Sequence, residues 1–465
     1  MGGPVPALEY HRLTVHQPGH PYQHDDRLVE GYRPMVWERK PPQFKTYPGR
    51  EVLPLPEDLD ADWLGRLLFL SAGVTRRMEM GGRTMWFRAA GSAGNLSPIE
   101  VYVVRGAGVF HYEPVEHGLV RLSDAPAGAP PALVLTGVPW RTCWKYRERG
   151  FRHLWWDAGT MLAHVLALVP EARVEVGFVD TEVAALVGAQ APYELPLAVV
   201  SLNGEPSALP RQSSGGDVPA GHLADDPLEF PLVTDAFATG VLASQPDVIS
   251  WREAAADAGS PVGPGAGLYA AADLAGVIRR RGSTRWFDLR RSAPEGLVHA
   301  DLGWAAGGVR GDFIPEDRSL LEHYLLLFGV DGLDAGGYRW NGDGLTELAT
   351  GDLRDAGRHL CLDQPLGGDG AFTAFSCADL GAVTSALGDR GYRAANLEAG
   401  VVEGRLHLAA YSRGLGATGL TFYDDEVSRF FATTSAPLLV TAVGAPGYRS
   451  RPGGPPRRPV EMVGR

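Results

Sequence analysis

The chain has 465 residues, of which 45% are hydrophobic and 21% charged, and a formal net charge of −12. That length exceeds one ordinary domain and supplies apolar material for more than one core. The acidic balance argues against a nucleic-acid surface, no apolar run reaches membrane-spanning length, and Cys143, Cys361 and Cys377 share no close spacing that would mark a disulfide framework or a zinc site. The opening MGGPVPALEYHR has no signal-peptide core, so a cytoplasmic protein that engages neither nucleic acid nor membrane is expected.

Residues 1–56 are rich in proline, which forbids long helices, and read as an arm lying against a folded body. The spacing of His11, His16, His20 and His24 suits no single helix face, and no metal site is expected there. A first domain follows over 57–205. DADWLGRLLFLSAGV reads as a helix capped by Asp60 or Asp62. IEVYVV, GVFHYEP, GLVRL and PALVLTGV read as strands, WWDAGTMLAHVLALVP as a buried helix, and ELPLAVVSL as a buried strand. Residues 206–262 read as a linker holding one short helix in ISWREAAADAG. A second domain over 263–448 then repeats the order: a helix in LYAAADLAGVIRRRG, a strand in HYLLLFGV, a hairpin in GGYRWNGDGLTEL, a long helix in LEAGVVEGRLHLAAYSRG, and a strand in APLLVTAVGAP. Residues 449–465 read as a disordered tail.

Two phrases make the repetition explicit. ERGFRHLWWDAG at 148–159 and DRGYRAANLEAG at 389–400 share one frame: acid, Arg, Gly, aromatic, Arg, and later acid, Ala, Gly. TFYDDEVSRFF answers GFVDTEVAALV in the same order. An internal duplication follows, and two fused copies resemble a homodimer joined into a pseudo-dimer. Ala399, Gly400 and Gly404 would let helices approach closely across such an interface. Arg149, Arg152, Arg390 and Arg393 occur in both copies and read as structural, pairing with Asp157 or Glu398.

Residues present once carry more information. In IRRRGSTRWF, Arg281, Ser283 and Arg285 alternate after a helix and could converge on one phosphate, although a solvated basic loop has the same composition. In RAAGSAGNLSP, Ser92, Gly94 and Asn95 form a small-residue turn that could admit a flat ring or be an ordinary tight turn. Lys145 and Tyr146 align with Ala386 and Leu387 of the second copy, so any proton chemistry they do belongs to one copy alone.

This combination resembles the SagB-type dehydrogenases of the FMN-dependent nitroreductase superfamily. WRTCWKYRERGFR is similar to that family's Lys-Tyr-x-x-Arg-Gly-aromatic-Arg segment, RAAGSAGNLSP to its flavin turn, RGSTRWF to the superfamily's Arg-x-Ser-x-Arg phosphate motif, and YDDEV to its late Asp-rich turn. Gly91 stands where the family pattern has Pro, and Ser97 where it has Tyr. The resemblance implies an α+β fold of two tandem nitroreductase-like domains, each a central mixed or antiparallel sheet flanked by helices, paired within one chain. It implies one composite FMN site per chain. Arg281, Ser283, Arg285, Gly419 and Leu420 would come from the second copy; Ser92, Gly94 and Asn95 would come from the first. It implies oxidation of azolines in peptide natural products, with hydride passing to flavin N5, O2 as acceptor, and Lys145 and Tyr146 handling the proton. The partners it implies are a peptide or small-molecule substrate and a cyclodehydratase or other biosynthetic enzyme, with the chain monomeric as a pseudo-dimer. Two other readings stand beside it: an NAD(P)H-dependent nitro or enone reductase, and a non-catalytic partner that binds peptide or another enzyme.

Overall fold

The computed structural model describes residues 4–19, 29, 32–207, 209, 218–262, 273–342 and 344–462. His20, His24, residues 211–217 of the expected linker and residues 268–272 of an expected helix lie outside them. Among the described residues no helix is long and apolar enough to cross a membrane.

Each copy is built on an antiparallel sheet. In the first copy, Ile99–Glu113 pairs with the long strand Gly118–Gly137; that strand pairs with Leu195–Ser201, which pairs with Arg173–Glu175. The expected strands GLVRL and PALVLTGV are thus two ends of one strand. In the second copy, Glu322–Leu327 pairs with Phe372–Ala378, then Ala436–Gly444, then Gly416–Leu420. The order of these four strands is the same in both copies. Leu195–Ser201 and Phe372–Ala378 are buried at every position; the first lies within the expected ELPLAVVSL strand, while the second, interrupted by Thr373 and Ser376, was not expected from the sequence.

The buried helices Gly150–Leu168 and Leu380–Ser412 hold the copies together. The second is kinked at Gly388, whose φ of 61° an L side chain rarely adopts. Their contact is backbone against backbone. A methyl on Gly159 would overlap the Leu397 carbonyl oxygen, and one on Gly400 the Trp156 carbonyl oxygen. The glycine that ends each repeated phrase is therefore the point of closest approach.

The repeated arginines pair across the interface, not with Asp157 and Glu398 as expected. Arg149 and Arg152 donate to Asp424 of the second copy at 2.9 and 2.7 Å. Arg390 donates to Asp180 of the first copy at 2.7 Å, with Arg393 at 3.5 Å. All six groups are buried. The flanking segments follow the same symmetry. His16 N–H donates to Asp424 at 2.9 Å, and Leu242 N–H donates to Asp180 at 2.9 Å. Thr14 O accepts from Arg149, and Gly240 O from Arg390. The helix Ala7–Leu13 in the arm thus has a counterpart in Pro231–Ala238. Residues 231–242, expected to be linker, are the second copy's version of the arm. A proline at or just before the helix start is nearly all their sequences share, so the relation shows only in the contacts.

Three further differences from expectation have local causes. Val74–Met80 and Arg83–Arg88 form a hairpin, turned by Gly81 and Gly82 with φ of 59° and 74°. Later in the arm, Lys45 is fully buried and donates to Glu194 at 2.6 Å and Tyr102 Oη at 2.9 Å, pinning residues that read only as Pro-rich coil. The tail is ordered through Met462, because Val460–Glu461 pairs with Arg76–Arg77 and Arg457 donates to the carbonyls of Leu55 and Glu116.

Candidate active site

At one end of the interface, second-copy cations meet the first copy's small-residue turn. The helix Leu274–Arg280, capped by Asp273, delivers Arg281 into the interface. There Arg281 is buried, its Nε donates to Ala89 O at 2.8 Å, and its Nη1 stands 3.3 Å from where a Gly91 Cβ would be. Burial lowers its pKa to about 10. Ser283 bridges to Ala417, which fixes the segment along the strand Gly416–Leu420, and Arg285 N–H donates to Tyr448 Oη. Ser283 and Arg285 are exposed.

From the first copy, Pro139 starts the helix Pro139–Tyr146, whose last turn carries Lys145 and Tyr146. A Cβ on Gly94 would lie 3.1 Å from both Lys145 Cδ and Tyr146 Oη, so the turn and this pair are in contact. Gly94 has φ of 61°, as its role in the turn requires. Burial lowers the Lys145 pKa, and the positive charge of Arg285 lowers it further. Tyr146 stacks on His153 with ring centroids 3.9 Å apart and planes 16° apart. His153 is buried, and both its ring nitrogens lack a hydrogen-bond partner among the described residues.

Other expected site residues make contacts within the protein. Ser92 Oγ donates to Asp157 at 2.6 Å and also accepts from Ser97 N–H. Asn95 Nδ2 donates to Trp86 O at 3.0 Å. Ser92 Oγ and Asn95 Nδ2 therefore help to shape the turn. Leu420 is packed in the core, while Gly419 lies under the Glu403 carboxylate. Glu403 was not anticipated; its counterpart in the first copy is Leu162, and that polar-for-apolar difference was the available signal.

The acid of each repeated phrase also has one job in both copies. Asp157 holds Ser92 Oγ and Ala93 N–H; Glu398 holds Ser319 Oγ at 2.6 Å and Leu320 N–H at 3.0 Å. The second copy therefore does keep a serine at the turn position, in a loop too different in length to align by eye. Burial raises the pKa of each acid to about 7.

The opposite end of the interface is built differently. There Val174 bridges to Gly311, where Ala417 bridges to Ser283 at the first end. The next residue, Asp312, accepts from Val176 N–H at 2.8 Å and Gly177 N–H at 3.1 Å. Arg252, from the helix Gln245–Ala255, pairs with Asp312 at 2.9 Å and with Glu175 at 3.0 Å. An internal carboxylate and arginine neutralise each other where the first end leaves Arg281, Arg285 and Lys145 without a carboxylate ion pair among the described residues.

Two such sheet-and-helix domains paired within one chain have a nitroreductase-like fold. No known family profile matches the chain. A protein provisionally named a nitroreductase in Methanocaldococcus jannaschii is 31% identical over 145 residues, spanning 26% of this chain and 70% of that one. A crystal structure from Anabaena variabilis, also provisionally named a nitroreductase, superposes over 96% of this chain and 100% of its own, with a TM-score of 0.73 and 25% identity. A chain of the Escherichia coli microcin synthetase complex aligns over 43% of this chain and 82% of its own at 19% identity, with a TM-score of 0.26, too low to bear on function. The chain belongs to the nitroreductase family.

Proposed function

We propose that the protein is an FMN-dependent dehydrogenase of the SagB type, oxidising thiazolines or oxazolines in a peptide, with one flavin bound between the two copies. The observation that carries this reading is the meeting of Arg281 with Gly91 and of Lys145 with Gly94, with the charge of Arg285 acting on Lys145 and no carboxylate ion pair to any of the three among the described residues. Three cations without a carboxylate ion pair among the described residues, in a chain of net charge −12, fit an anionic ligand. The glycine backbone at Gly91 and Gly94 fits the close approach of a flat ring. Arg281 and Arg285 would hold the phosphate, and the turn would face the ring. At the other end, Arg252 is engaged by Asp312 and Glu175, which supports a single site.

Bound FMN would supply the hydride acceptor, with O2 as the final oxidant. The protein's part is the proton. Burial and Arg285 bring the Lys145 ammonium closer to neutrality, so the amine can take the Cα proton of an azoline as the C–H bond adjacent to the heteroatom gives up its hydride. Tyr146, held flat against His153, orients the ring being oxidised. The second copy has Ala386, Leu387 and Ala394 at the positions of Lys145, Tyr146 and His153, which favours chemistry at one end only. The test is aerobic turnover of a synthetic thiazoline peptide, followed by mass spectrometry for loss of two hydrogens. Wild type should form the thiazole, and Lys145→Met should keep its flavin while losing at least a hundredfold in rate, the scale of a removed acid–base group. A flavin-loaded protein that reduces nitro or enone compounds with NAD(P)H and leaves the thiazoline intact would overturn the assignment.

A further inference from the structure

The helix Leu274–Arg280 ends where Arg281 enters the crevice, and a helix end is a poor neighbour for an anion. Its last carbonyls have no partner within the helix and carry partial negative charge. The first copy covers them. Arg76, in the strand Val74–Met80, donates from Nη1 to Arg281 O at 3.1 Å and from Nη2 to Arg279 O at 2.7 Å. Nη2 also reaches Arg451 O of the tail at 3.0 Å. The tail adds a second contact: Gly453 N–H donates to Arg279 O at 2.6 Å, and Arg279 donates back to Gly453 O from Nε at 3.1 Å and Nη2 at 2.8 Å.

Arg76 is half-buried, and among the described residues no carboxylate pairs with it. Burial lowers the pKa of Arg76 and of Arg281, and like charge adds to this: Arg279 acts on Arg76, and Arg76 acts on Arg281. Glu403 opposes the effect at Arg281 without forming an ion pair with it among the described residues. Such a cluster of cations repels itself, and a bound anion would relieve the repulsion. The hairpin that carries Arg76 belongs to one copy. The second copy passes from the helix Leu302–Ala306 to its sheet strand Glu322–Leu327 with only the two-residue strand Arg318–Ser319 between them among the described residues. We propose that Arg76 is a positioning residue for the phosphate of the bound flavin: it masks the helix-end carbonyls, fixes the backbone from which Arg281 projects, and adds one positive charge from the first copy. The proposal rests on the flavin reading and deepens it.

The test compares two ligands that differ in the phosphate alone. The full-length protein, stripped of flavin, is titrated with FMN and with riboflavin, and quenching of flavin fluorescence gives both affinities. Arg76→Ala should weaken FMN by at least about tenfold while leaving riboflavin nearly unchanged, because the lost charge acts on the phosphate. Arg76→Gln keeps a donor without the charge, serves if the alanine variant does not fold, and should lose the same preference. Arg76→Lys restores the charge and should recover most of it. An FMN-to-riboflavin ratio that stays at the wild-type value in the Ala and Gln variants overturns the proposal. So does a parallel loss of both ligands, which would mark Arg76 as merely structural, or a Lys variant no better than Gln. Wild-type protein that binds neither flavin would instead overturn the flavin reading, and this proposal with it.

Discussion

Replacing Asp424 by asparagine removes one negative charge from the centre of a buried clamp. Asp424 accepts from Arg149 at 2.9 Å, Arg152 at 2.7 Å and His16 N–H at 2.9 Å, and both arginines are fully buried. An amide can accept one of these bonds but cannot balance two guanidiniums. Breaking a buried ion pair from one side costs roughly 3–5 kcal/mol, because the surviving charge stays desolvated. The Asp180 clamp is untouched, so the loss should be read against an intact partner clamp. Urea denaturation followed by tryptophan fluorescence gives the change in midpoint and slope. The pH dependence adds a second reading. Burial alone would raise the Asp424 pKa, but Arg149 and Arg152 hold it well below the usual carboxylate range. Its stabilisation is therefore fully present above the unfolded carboxyl pKa, roughly 3.9, and is lost as pH falls through the folded value. Asp424→Asn should flatten the acid side of the stability profile. A loss below about 1 kcal/mol, the scale of an exposed pair, would refute the claim that the repeated arginines lock the two copies together.

Two other perturbations test the interface and the turn. Gly159→Ala drives a methyl into the Leu397 carbonyl, a backbone atom that cannot rotate away, and should cost at least about 1–3 kcal/mol in the same denaturation assay. Asp157 has a folded pKa raised to about 7 by burial. Between about pH 4 and 7 the folded state keeps a proton that the unfolded chain has released, so this group's contribution falls as pH climbs through that window. Asp157→Asn should therefore gain thermal stability relative to wild type between pH 5 and pH 8; a constant difference would show that Asp157 does not titrate there.

Much of the fold was legible because it rests on periodicity and on repeats. The helix at Trp63–Ala72 with its Asp62 cap, most of the buried strands and the two long helices follow from local pattern. The glycines of the two phrases marked the close approach because nothing else fits between two backbones. What was hidden depends on distance in sequence. Arg149 meets an aspartate 275 residues away, and no local feature separates Asp424 from Asp157 as its partner. The serine turn of the second copy was missed because its loop changed length while the Glu398–Ser319 bond persisted. Segment 231–242 kept the arm's backbone contacts and almost none of its side chains, so composition alone read it as a spacer. In the candidate site, the charged residues were visible as motifs. Glu403 and His153 were not, since each stands in a helix whose other faces are core.

The central claim is a single flavin held between the copies by the second copy's arginines. The most direct measurement is the visible spectrum of the purified protein, with released flavin identified and counted per chain for wild type and for the Arg281→Ala/Arg285→Ala double variant. One FMN per chain, lost in the double variant while the fold is retained, is the predicted result. Two flavins per chain, or a flavin that survives loss of both arginines, would contradict it.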